Sequence, residues 1–174
     1  MQSSNTLSII EEALESERRE VAFFKRLSKR INSPLGKAVF NDYADKGKKN
    51  YQNLKDLHEQ LSGKGNIVDQ AQTASIGTIN FDDDEDKISG SMDKALADFD
   101  DLTALDIAAR FVRKTTRFLS NSYDALKHPA GREMLKAMVL SERENFIHLK
   151  NIEEYLKDPQ AWFREMEHHG LDGA

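Results

Sequence analysis

The chain has 174 residues, enough for one well-buried domain and short for two, and its 32% charged and 39% apolar residues with only three prolines favour helices over a strand-and-turn architecture. A net charge of −5 without a Lys/Arg run or basic tail argues against nucleic acid as a partner, and the absence of cysteine removes disulfides, thiolate metal sites and cysteine nucleophiles. No 18-residue apolar run occurs, so neither export nor membrane insertion is indicated and the expected location is the cytoplasm.

Ile10, Ala13, Val21, Phe24, Leu27 and Ile31 recur at threes and fours, which predicts a first helix over about 8–31. It stops at Asn32-Ser33-Pro34, where Ser33 suits an N-cap and Pro34 the first position of a second helix over about 34–61. Phe40, Tyr43, Leu54, Leu57 and Leu61 stripe that helix, and Gly63 and Gly65 suit its close. The short turn makes the pair an antiparallel hairpin. Residues 62–102 then read as a long crossover with a short helix over 92–99, and its acidic run 82–86 reads as solvated loop rather than a cation site. Thr103 and Asp106 form a capping box, with Leu102 and Ile107 as a staple, for a third helix over about 103–127. After a turn at 128–131, Leu135, Met138, Val139, Leu149, Ile152 and Leu156 predict a fourth helix over about 131–157. Asp158 and Pro159 open a short terminal helix over 159–168.

Strict spacing puts polar residues on these inner faces. The fourth stripe, 135–138–142–145–149–152–156, turns Glu142 and Asn145 inward; the second, 40–43–47–50–54–57–61, does the same for Gly47 and Asn50. The first places Glu17 inside, and the third, 105–109–112–116–119, places Val112 there. Glu17 lies about as far before the Ser33-Pro34 turn as Asn50 lies after it, so the two sit level at ~1.5 Å per residue.

The pattern resembles the rubrerythrin-related branch of the ferritin superfamily. Local phrases agree with it: residues 13–24 (ALESERREVAFF), 104–110 (ALDIAAR) and 141–149 (SERENFIHL), with Trp162 and Leu171-Asp172-Gly173 near the end. The resemblance covers nearly the whole chain and implies an all-α, ferritin-like four-helix bundle. It also implies two irons, held by a Glu from each of helices one and three and a Glu-x-x-His from each of helices two and four. Residue by residue, Glu17 and Glu142 keep their carboxylates. The helix-three Glu is Val112, the helix-two motif is Gly47-x-x-Asn50, and the helix-four His is Asn145. Two carboxylates and two amides cannot hold two irons in the usual way. The cysteine-coordinated electron-delivery module of full rubrerythrins is missing as well.

Two readings of the layer stay open. In one it holds no metal: Asn50 and Asn145 donate to Glu17 and Glu142, helped by a water or by Tyr43 or Tyr51, and at least one carboxyl keeps its proton. In the other a single divalent metal, iron or manganese, remains on Glu17, Glu142, Asn50 and Asn145. None of the histidines lines up with the layer: His148 reads as a rim residue, His58 sits near the end of helix two, His128 in a turn, and His168 and His169 on the terminal helix. Phe111 and Phe118 form a second stripe on helix three, pointing to a homodimer. The expected function is a binding or structural member of the group without standard peroxidase or ferroxidase activity; the alternative is a metal-binding oxidoreductase using a remodelled site for peroxide, oxygen or iron chemistry.

Overall fold

A computed structural model describes residues 2–63 and 100–164. Among these the chain is all helical, with four long helices: α1 (Gln2–Arg30), α2 (Pro34–Ser62), α3 (Asp101–Ala125) and α4 (Pro129–Lys157). A short helical segment, 159–164, follows Asp158, which accepts from the backbone N–H of Ala161 at 2.9 Å. The acidic run 82–86, the helix expected over 92–99, His168 and His169 lie outside the described residues. No helix among the described residues is long and apolar enough to cross a membrane.

The turns follow the side chains expected of them. The Ser33 hydroxyl accepts from Gly36 N at 3.2 Å and Pro34 opens α2, while Gly63 closes it at φ 73°, a backbone state that costs glycine little. Helix starts differ from the apolar periodicity. α1 begins at Gln2 rather than near residue 8, because its first turn is polar and adds nothing to the stripe. Asp100, not Thr103, caps α3, taking Thr103 N at 2.8 Å on its carboxylate. α4 begins at Pro129, its cap His128 accepting from Gly131 N at 3.4 Å. The end of α3 is closed by Arg132, whose guanidinium donates to the carbonyls of Tyr123 and Leu126 at 2.7 and 2.9 Å and lies 4.0 Å from the Tyr123 ring centroid.

Asp101 fixes how the two hairpins meet. Its carboxylate accepts from Asn32 N at 2.8 Å and Ser33 N at 2.7 Å, so α3 starts beside the α1–α2 turn. α2 and α3 therefore run parallel, with the end of α2 and the start of α3 at opposite ends of the helices; the expected crossover between them, 62–102, lies almost wholly outside the described residues.

The core falls into two clusters. One gathers Phe24, Leu27, Phe40, Tyr43, Leu105, Val112, Leu149 and their neighbours toward the α1–α2 turn; the other gathers Ile10, Leu14, Leu54, Leu119, Leu126 and Leu135 toward the opposite end. Phe111 stacks on Phe23 at 4.0 Å between centroids and 11° between planes, so part of the second stripe of α3 is satisfied within the chain. Replacing Asp101 with Ala should cost about 1–3 kcal/mol and lower Tm by roughly 3–8 °C in calorimetry, with a smaller loss for Asp101→Asn, which keeps one acceptor. An unchanged Tm would mean the hairpins are held together without this clasp.

Candidate functional site

Between the two apolar clusters lies a level where every helix contributes a polar or small residue. α1 supplies Glu17 and Glu20, α2 supplies Gly47 and Asn50, α3 supplies Thr115 beneath Val112, and α4 supplies Glu142 and Asn145. Glu17, Glu20, Glu142 and Asn145 are buried, at 0%, 2%, 2% and 3% exposure; Asn50 is half-buried and Val112 belongs to the apolar cluster above. The common layer read from the stripes is thus present. It holds one carboxyl more than the spacing indicated.

Glu20 is the residue the sequence reading missed. The i, i+3 relation to Glu17 was available, and so was the unbroken apolar run 21–24 (VAFF). Four consecutive buried residues there show that α1 is covered over a wide arc at this level, which takes Glu20 inside with Glu17. On α3 the inward polar residue is Thr115 rather than 116: Thr115 contributes a hydroxyl beside Glu20, while the Thr116 hydroxyl bonds back to Val112 O at 2.8 Å.

The hydrogen bonding is sparse for three buried carboxyls. Asn145 donates from Nδ2 to Glu142 Oε1 at 3.2 Å, as its i, i+3 placement requires. Neither oxygen of Glu17 has a hydrogen-bond partner, and Oε2 of both Glu20 and Glu142 lacks one too. Asn50 lies near enough to favour the ionised form of Glu17 slightly, but it does not close the expected hydrogen bond. Tyr43 serves the rim of the layer: its hydroxyl donates to Asn145 O at 3.1 Å. A phenol has one proton, so His148 Nδ1, 3.2 Å from the same oxygen, must be the donor of its pair. His148 is exposed and turned to Tyr43, which fits the rim position expected for it. His58 bonds Glu11 at 3.0 Å near the far end of the helices, away from the layer.

Burial dictates the charge state. Desolvation, then the Glu142 charge, pushes Glu17 up to about 8, and desolvation with the charges of Glu142 and Glu17 raises Glu20 well above the ordinary carboxyl value. Glu142 rises to about 7, its burial partly offset by hydrogen bonding from Glu20 and Asn145 and by Lys46. Glu20 and Glu142 are close enough to share a proton. Glu17 and Glu20 therefore hold their protons near neutrality, whereas Glu142 titrates around it. Tyr43 is held as the phenol by burial, then by the charges of Glu142 and Asp42.

Gly47 leaves no pocket. A Cβ at that position would lie 2.8 Å from Val21 Cγ2 and 3.7 Å from Glu17 Oε2, so α1 occupies the space that a longer residue would need. The pair of irons that the rubrerythrin resemblance implies does not fit these residues: among the described residues no imidazole faces the layer, and no group of three or more His, Asp or Glu is arranged to hold a metal ion. What the site can do is store and pass protons among carboxyls in a water-poor interior.

Groups whose folded pKa exceeds the unfolded 4.5 stabilise most fully below 4.5, and lose that contribution as pH rises through 7 and 8. Wild-type stability should accordingly fall between pH 5 and 9 relative to the triple variant Glu17→Gln, Glu20→Gln, Glu142→Gln, by about 1.4 kcal/mol per pH unit for each proton released. Denaturant unfolding at stepped pH measures it, and parallel profiles would mean the layer is ionised throughout. Comparison of the chain with protein-family models, curated proteins and solved structures finds no match in any of the three.

Proposed function

We propose that this chain is a ferritin-like four-helix bundle related to rubrerythrins, in which a proton-sharing carboxyl layer stands where the family's di-iron centre would be. On this reading it acts in the cytoplasm as a binding or structural member of the group, without peroxidase or ferroxidase activity. The observation that carries it is the makeup of the layer. Glu17, Glu20 and Glu142 gather in the interior, Asn145 turns its NH2 rather than its oxygen to Glu142, and Val21 fills the place of a ligand at position 47. Carboxyls flanked by carboxamides and lacking imidazole partners are poor hosts for a redox metal. The α3 stripe adds a homodimer to the proposal: Phe111 and Phe118 line a groove of about 550 Å³ between α1 and α3 that a second copy would cover.

Metal analysis by mass spectrometry tests the central point. The untagged protein, expressed with iron and manganese supplied and purified without chelator, should carry far less than one metal per chain, and Glu17→Gln with Glu142→Gln should be at least as stable at pH 8. Near-stoichiometric iron or manganese that disappears in the double variant would instead support a metal-binding oxidoreductase with a remodelled site. Sedimentation equilibrium should return the mass of a dimer that Phe118→Lys dissociates; a wild-type monomer would remove the dimer from the proposal.

A further inference from the structure

A second site lies on the outer surface of α3 and α4, near the middle of both helices and independent of the carboxyl layer. Arg113, Thr116 and Arg117 of α3 and Arg143, Phe146 and Ile147 of α4 line a groove of about 430 Å³, within the size range of small-molecule sites. Its floor and walls are apolar, and its charge comes from three guanidiniums. Arg113 and Arg117 are one turn apart on the same helix, a spacing at which like charges repel. Among the described residues none of the three pairs with a carboxylate, although the chain as a whole carries −5. Elsewhere on the surface, i, i+3 and i, i+4 ion pairs are common, as with Arg110 and Asp106 or Lys46 and Asp42. Among the described residues, a cluster of guanidiniums without carboxylate partners around an apolar groove is thus a local departure from the paired charges elsewhere.

We propose that this groove binds a small amphipathic carboxylate: one anionic head on an aliphatic body of medium chain length. The apolar body has a place to go, since Ile147 is 59% exposed and Leu140, two turns earlier on α4, is 49% exposed. Arg113 is already engaged, its guanidinium 5.0 Å from the Phe146 ring centroid, where it forms a flat wall. Arg117 and Arg143 are left to take the head, and the two oxygens of a carboxylate match the fork of a guanidinium. A phosphate group fits less well. Phosphate sites usually add backbone N–H donors from a helix N-terminus, and here, in mid-helix, the backbone amides are committed to the helices themselves.

The test is methyl NMR of the full chain at neutral pH with millimolar octanoate, 1-octanol or inorganic phosphate. Octanoate should shift the Ile147 methyl in a saturable way, with the other two giving little change. Arg117→Gln with Arg143→Gln should weaken octanoate binding at least about ten-fold, with thermal unfolding unchanged. Four results would overturn the proposal: no octanoate shift; an equal response to octanol, which would mark a merely apolar patch; an equal response to phosphate, which would mark a simple anion site; or affinity indifferent to the double substitution. An Ile147 shift that follows protein concentration without octanoate would assign the groove to a second copy and also overturn it.

Discussion

Three carboxyl groups buried at one level set the terms for everything around them. A buried carboxylate without a cation or hydrogen-bond donors is costly to keep ionised, so burial of Glu17 and Glu20 favours their protonated forms, while Glu142, with Asn145 beside it, is raised less far. This one condition accounts for the division of the core into two apolar clusters, while Asn145, donating to Glu142, eases the ionisation of that one carboxyl. The apolar clusters contribute the favourable burial; the layer between them consumes part of it and holds a chemical state that depends on pH.

The architecture was legible in the sequence because periodicity over long segments reports a buried face directly. The Ser33-Pro34 turn and the glycine at the end of α2 were each written in residues with a single strong conformational preference. Helix starts were less legible: the first turn of α1 is polar, and Asp100, Thr103 and Asp106 offer competing caps within one short stretch. At the layer, strict spacing located Glu17, Glu142, Asn145, Gly47 and Val112 but allowed one inward residue per turn. It passed over Glu20 and Thr115, which are inside because α1 and α3 are covered on more than one side there. Width of burial is a tertiary property that a single stripe does not encode.

The outer surfaces divide the same way. Phe111 looked like a free apolar stripe on α3, yet its ring stacks on Phe23, a contact between helices far apart in sequence. The three arginines around Phe146 and Ile147 are scattered in sequence and become a cluster only when α3 and α4 lie side by side.

Position 47 is tied to position 21. With Val21 Cγ2 only 2.8 Å from where a Cβ would stand, the glycine and the valine form one interlocked unit in which each makes sense only with the other. A lineage carrying this pair meets an asymmetric path. Trimming Val21 alone opens a cavity, and enlarging residue 47 alone drives two helices apart, so either order passes through a less stable protein. A side chain at 47 is therefore accommodated with least loss of packing when position 21 changes with it, since either change alone leaves a clash or a void.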